Sequence, residues 1–354
     1  MTATHAFILS VDYEVFGDGS GCVKECVIRP AERLLALADR FGAKVTLFVE
    51  ALEFEKMEAA GIPDIKNVKD QLIKAYRAGH DIQLHIHPQW IYASKDQFGW
   101  NLDVAKWRVA DLDQEQIANA LMTGKRWLER VIRSEDSHYE CVAFRAGAWC
   151  IQPSSRVLSV LKTIGIKVDS TVAPGAFNPG SGDWYDFRHC PQSPWWWTTE
   201  DVLKAEDSTE AAIMEVPIAS GNVRAIGRLR TLMRSRYMNQ SLARDCHGSY
   251  RGANTRLNAF RKKLAKLRNI SHVMLDFCTL TCDEMMIVVG QHKEIDENKD
   301  LMVPIVAIGH TKNFSPDAEK NLCKFLGRLS LDSSVRCETM SGWLCCYKDW
   351  NESA

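Results

Sequence analysis

Short apolar strands alternate with amphipathic helices along almost the whole chain, and nothing else in the sequence constrains the fold as much. The strand candidates are Phe7–Val11, Lys44–Val49, Asp81–Ile86, Val142–Phe144, Ile166–Val168, Ile213–Pro217, Val273–Asp276 and Pro304–Ile308. Between them, Ala31–Phe41, Val68–Ala78, Gln114–Ile132, Ser154–Ile164, Thr255–Leu267 and Pro316–Leu329 carry apolar residues three and four apart, the repeat of a helix with one buried face. Strand then helix, repeated about eight times, predicts parallel strands joined by helical crossovers, hence an α/β barrel or a doubly wound sheet. The 354 residues suffice for one barrel-sized domain or two smaller ones, and no internal repeat or low-complexity tract divides them.

Residues with useful chemistry cluster just after these strands: Asp12 and Glu14, His85 and His87, Arg145, Asp169, and His310. In a barrel, the C-terminal strand ends share one rim, and active sites form there. His85 and His87 close a strand that stops at Pro88, and the two-residue repeat of a strand projects both from one face. Two adjacent imidazoles at a buried strand end suit a divalent metal. Each residue also has a plainer reading. The histidines can bond carbonyls, Asp12 can cap a turn, and Glu14 can be a surface carboxylate. Arg145 can pair with Asp169 to tie two strands, and His310 can be a loop residue. His80, opposite in parity to His85, reads as structural. It is the joint arrival of ionisable groups from five strands that favours a site.

In this order, Ser10-Val11-Asp12-Tyr13-Glu14, Gly79-His80-Asp81-Ile82-x-x-His85, Phe144-Arg145-Ala146-Gly147-Ala148-Trp149, Asp169-Ser170-Thr171 and Ile308-Gly309-His310 resemble the motifs of the NodB-homology polysaccharide deacetylases. The resemblance runs from about Phe7 to Phe314, and is to a divergent group associated with surface-polysaccharide biosynthesis. It implies a single distorted (β/α) barrel of about seven to eight strands over residues 1–354, with long loop insertions and a basic helical insertion at about 219–270. It also implies a metal held by a carboxylate and two histidines. Asp12 would then be the general base, Arg145 the residue that orients it, and His310 the general acid. Glu14 would be the carboxylate ligand, where relatives have Asp, and His85 the first imidazole. Relatives carry the second imidazole four residues on, where this chain has Gln89, so His87 is the available substitute. Such a ligand set takes zinc, and would also take cobalt or nickel. The activity implied is removal of an N-acyl group, expected to be acetyl, from an amino-sugar. A deformylase acting on a lipid-linked sugar, and a catalytically silent glycan-binding barrel, are the competing readings.

The remaining features bear on surroundings and partners. The net charge of −1 and 46% hydrophobic residues describe an ordinary globular chain, with no apolar run long enough to span a membrane. The first ten residues read as a strand rather than a signal peptide, so the twelve cysteines are expected to be reduced thiols in a cytoplasmic compartment. Cys22-x3-Cys26 and Cys278-x3-Cys282 lack the two-residue gap usual in thiolate zinc sites, and Cys345 and Cys346 read as buried strand residues. Eight tryptophans follow the site motifs, and flat indole faces suit sugar rings. Trp90 and Trp149 are expected to line the pocket, with Asp169 and Arg188 as polar substrate contacts, whereas Trp195–Trp197 read equally well as loop core. From Arg224 to Arg268 there are thirteen Lys or Arg residues against the single acid Asp245, which leaves about −13 for the rest. A basic stretch of this kind suits a nucleotide- or lipid-diphosphate-linked sugar precursor, or peripheral contact with an anionic membrane face. A solvated helix pair is the alternative. Nucleic acid is not expected, because no recognisable binding fold accompanies the charge.

Overall fold

The computed structural model describes residues 4–97, 99–103, 105–180, 182–207, 212–224, 271–295 and 302–353. The expected helix Thr255–Leu267, and the basic segment beyond Arg224, lie outside the described residues. Among the described residues, nine strands form the main sheet: β1 (His5–Tyr13), β2 (Val45–Glu50), β3 (Asp81–Ile86), β4 (Ala143–Ala146), β5 (Val168–Asp169), β6 (Trp196–Thr198), β7 (Ile213–Glu215), β8 (Val303–Ala307) and β9 (Val335–Cys337). Their order is β6-β7-β5-β4-β3-β2-β1-β8, with β9 also paired to β1. All pairings are parallel except that of β6 with β7. The sheet curls on itself. Past β7, Ile218 donates to Val172 O on one side while Ala219 donates to Val306 O on the other (2.8 and 2.9 Å). The chain is therefore a distorted (β/α) barrel, closed by single bridges rather than by a full ladder.

The expected strand Val273–Asp276 differs from its sequence reading. His272–Met274 pairs antiparallel with Ser220–Asn222, and just past it an isolated parallel bridge joins Asp276 to Ile308, the residue after β8. That short bridge is part of the distortion: beyond β8, the wall is irregular backbone rather than strand.

Two packing layers follow from strand parity. Phe7, Leu9, Val11 and Tyr13 of β1 face outward into the core shared with the helices. Ala6, Ile8, Phe48, Ala143, Val168, Met214 and Val306 fill the interior. Buried aliphatic and aromatic side chains of this kind contribute roughly 1.5–3 kcal/mol each. Around the outside run α1 (Arg29–Arg40), α2 (Ala51–Ala59), α3 (Asp64–Arg77), α4 (Gln114–Ile132), α5 (Ser155–Thr163), α6 (Cys282–Lys293) and α7 (Pro316–Leu329). Asp113 and Gln116 form a capping box that starts α4. Its Gly124 lets the helix press on β3: a Cβ there would stand 2.6 Å from Ile86 Cδ1.

The terminal helix α8 (Met340–Ser353) closes the N-terminal mouth of the barrel. Met340, Trp343, Leu344 and Tyr347 are buried, whereas Cys345 and Cys346 are exposed. The strand reading of the two cysteines is thus corrected. Apolar residues at spacings of three, four and seven form one helical face, and the thiols fall outside it.

Candidate active site at the strand ends

The inward-facing rows of the barrel become ionisable at its C-terminal rim. Ala6 and Ile8 are followed by Ser10, Asp12 and Glu14; Thr46 and Phe48 by Glu50; Asp81 and Gln83 by His85 and His87; Ala143 by Arg145; Val168 by Ser170. Strand register sets Glu50 beside His85 and His85 beside Arg145, and a bridge joins Asp12 to His310. Asp12, Glu14, His85, His87 and Arg145 are all less than 5% exposed.

Arg145 is completely buried and fully used. Its Nη1 donates to Asp12 Oδ1 (2.8 Å), Nε to Ser170 O (2.8 Å), and Nη2 to Ser10 Oγ (2.9 Å). The guanidinium also lies over the Phe48 ring at 4.0 Å. Its partner is therefore Asp12, and the alternative pairing with Asp169 is not formed. Burial alone would lift the Asp12 carboxyl, but His85, Arg145 and His310 together hold it below the ordinary range. The other oxygen, Oδ2, lies 3.4 Å from His310 Nε2.

Glu14 divides its two oxygens. Oε1 accepts from Lys312 Nζ at 2.7 Å. Oε2 lies 2.9 Å from His87 Nε2 and 3.6 Å from His85 Nε2. Despite burial, Lys312 and His87 keep this carboxylate well below its usual range. His85 Nδ1 stands 2.9 Å from the Arg145 carbonyl, which can only accept, so the ring proton is on Nδ1 and the Nε2 lone pair faces the carboxylates. Burial lowers His85, but Asp12 and Glu14 outweigh it and raise its pKa, whereas burial prevails at His87.

The fit to a metal rests on orphaned atoms. Glu14 Oε2 and His85 Nε2 are buried and have no hydrogen-bond partner. With a His87 nitrogen they lie within 4.8 Å of one another, and Asp12, Glu14 and His310 form a second such group. A carboxylate oxygen and an imidazole lone pair that converge beside a second imidazole are what a small cation would satisfy, in place of the close His87–Glu14 contact. Gln89 Nε2 donates to Gly17 O (2.9 Å) and lies 3.2 Å from His87 Nδ1. His87 would thus have to shed a ring proton to ligate, which metal binding can drive. Among the described residues, neither candidate group includes a thiol.

The aromatic and polar expectations divide. Trp149 stands beside His310 and beside Tyr185, at 5.9 Å from each. It is held there, together with Ala148, in left-handed backbone (φ 58° and 52°), a conformation of order 1–3 kcal/mol in cost that clusters at functional sites. Trp90, by contrast, is fully buried against Trp100, so it has no face open to a sugar. Asp169 has the wrong parity. Val168 and Ser170 face the barrel interior, and Asp169 turns outward to Thr171 and Glu215. Arg188 is half-exposed, paired with Asp186 and lying over Phe177. Trp195 and Trp197 pack on Tyr347 at the opposite mouth. His80 accepts from Val45 N (3.1 Å), as a structural residue does. A cleft of about 660 Å³ lies apart from the cluster, lined by Lys24, Arg29, Asp39, Asp70 and His80 among others. Both cations and anions line it, and none of the cluster's residues is among them.

Sequence reasoning passed over Lys312 and Glu50. Both carried a signal: Lys312 is two residues past His310, and Glu50 ends the apolar run Val45–Val49 on the inward parity.

No protein-family model matches the chain, and no curated protein matches it. Solved structures do. A Mycobacterium smegmatis protein carrying the designation polysaccharide deacetylase matches at 14% identity and TM-score 0.47, over 96% of this chain and 89% of its own. A 4-alpha-glucanotransferase from Thermococcus litoralis matches at 13% identity and TM-score 0.50, over 97% of this chain and 40% of its own. A CE4 family pseudoenzyme from Bacillus anthracis matches at 8% identity and TM-score 0.43, over 97% of this chain and 66% of its own. At such identities the likeness is one of chain course alone.

Proposed function

We propose that the protein is a metal-dependent hydrolase that removes an N-acyl group, acetyl first among them, from an amino-sugar. The observation that carries this reading is the convergence of buried Glu14, His85 and His87 ligand atoms within 4.8 Å of one another, with Asp12 and His310 alongside. Glu14, His85 and His87 would hold the metal; zinc, cobalt and nickel all suit two imidazoles and a carboxylate. When bound, a divalent metal acidifies water and polarises an acyl oxygen. The chain's own residues supply the rest. Asp12, kept ionised by Arg145, takes a proton from the attacking water. His310, in its protonated form, gives one to the departing amine as the C–N bond breaks, which yields a carboxylate and a free amino-sugar. Trp149, beside His310, offers an indole face to the sugar. The thirteen basic residues between 224 and 268 support a precursor carried on a nucleotide or lipid diphosphate, in surface-glycan assembly at an anionic membrane face. Among the described residues no helix is long and apolar enough to cross a membrane.

One observation favours a second reading, a catalytically silent glycan-binding barrel: the Lys312 ammonium already balances Glu14. Dialysis against zinc or cobalt followed by elemental analysis separates the two. The hydrolase reading expects retained metal in the native protein and none in His85→Ala. It also expects His310→Ala to keep metal while losing turnover by roughly 10²–10⁴-fold. Native protein that retains no metal and releases neither acetate nor formate from N-acylated amino-sugars would leave only the binding role.

A further inference from the structure

We infer that Glu50 is a positioning residue that sets where His87 stands, and that Glu53 does the same for the chain at Glu14. The inference rests on the metal-hydrolase reading and extends it to residues behind the ligands. Glu50 ends β2 on the inward parity, is 0% exposed, and sits beside His85 in register. Its Oε1 accepts the backbone N–H of His87 at 2.8 Å, and its Oε2 accepts the N–H of Glu53. Neither candidate group of ligand atoms among the described residues includes it. One turn on, Glu53 Oε1 accepts the N–H of Val15, the residue after Glu14, at 2.9 Å. Two buried carboxyls from the start of α2 thus grip the backbone on both sides of the cluster.

A helix cap alone does not account for this. Capping needs one oxygen, and Ser, Thr, Asp and Asn do it better than Glu. The longer side chain reaches a second amide, and that amide belongs to the imidazole standing two residues after His85. The ring's own space is cleared by Gly147, where a Cβ would come within 2.6 Å of His87 Nδ1. Backbone grip and cleared space together hold His87 toward Glu14. Partners of this kind, one step behind the ligands, alter metal affinity by about 10–100-fold when removed.

The test compares Glu50→Gln with native protein. The amide keeps the shape but offers one acceptor to two N–H groups. Cobalt affinity, measured by competition with a chromogenic chelator, is expected to fall at least about tenfold. Ala51→Gly, which loosens the same helical turn without touching His87, is the control and is expected to leave affinity unchanged. Equal affinity in Glu50→Gln and native protein overturns the proposal, as does an equal loss in Ala51→Gly. Native protein that binds no cobalt sinks the hydrolase reading instead. The positioning role is then decided in metal-free protein by selectively labelled histidine spectra. Displaced His87 signals with undisturbed His85 signals in Glu50→Gln support it, and unmoved His87 signals overturn it.

Discussion

The two mouths of the barrel are built from the same strands and the same inward rows, yet they treat polar groups in opposite ways. At the closed mouth, Thr46, Asp81 and Gln83 face inward and each finds a partner. Thr46 Oγ1 accepts Met340 N–H at 2.9 Å, and Asp81 Oδ2 accepts Ser341 N–H at 3.0 Å. Gln83 Oε1 accepts the amides of Val142 and Ala143, and α8 then seals the end with Trp343 and Tyr347. At the C-terminal rim, Glu14 Oε2, His85 Nε2 and His310 Nδ1 are buried with no well-aligned hydrogen bond. Each buried group left unmet costs about 1–3 kcal/mol, so a fold keeps several together only where something else supplies the contact. Burial and polarity alone do not separate structure from site here. Satisfaction does.

The sharpest way to break this contrast is Asp12→Ala. It strands the Arg145 guanidinium in the interior, and removing one partner of a buried pair costs about 3–5 kcal/mol. Urea unfolding should show that loss, with turnover abolished. A native-like midpoint would mean that Arg145 finds another partner and that the two mouths are less different than drawn. At the closed mouth, Asp81→Asn should cost about 1–3 kcal/mol, because an amide N–H₂ then opposes the Ser341 and Thr46 donors. Bound metal should be unchanged in that variant, and any loss of it would show that the closed end serves the site.

The smallest effect lies on the barrel's outer face. Burial lifts Asp169 to about 6 and Glu215 well above the ordinary carboxyl value, so the pair holds a proton in the folded protein. Unfolded carboxyls titrate near 4, so this contribution is complete below that value and is lost as pH rises through about 6. The urea midpoint should therefore drop from pH 5 to pH 7.5, and Glu215→Gln, which supplies a permanent N–H, should flatten the drop. A slope that is equally steep in the variant would remove Asp169 and Glu215 as its source.

Much of the molecule was legible in the chain. Gln114–Ile132 and Pro316–Leu329 are found as read, because a long helix with one buried face repeats its apolar residues regardless of what it packs against. The start of α6 also carries a local signal, the capping signature Thr281-x-x-Glu284. Parity along β1 and β3 placed Asp12 with Glu14 and His85 with His87. The same rule, applied at Asp169, would have turned that residue away from the site, since Val168 beside it is interior. Trp90 could not be sorted from Trp149 in this way, because both follow strands in loops whose course no periodicity dictates.

By itself, then, the sequence determined the alternating elements, the inward rows and the residues delivered to one rim, since local repeat and parity are properties of a strand or helix taken alone. Tertiary structure decided the rest. Whether Arg145 met Asp12 or Asp169, which oxygen of Glu14 went to Lys312, and that Glu50 reached the His87 amide all depend on side chains from different strands meeting at sub-ångström tolerances. Sheet curvature and closure set those distances, and they are sums over the whole barrel that no single segment encodes.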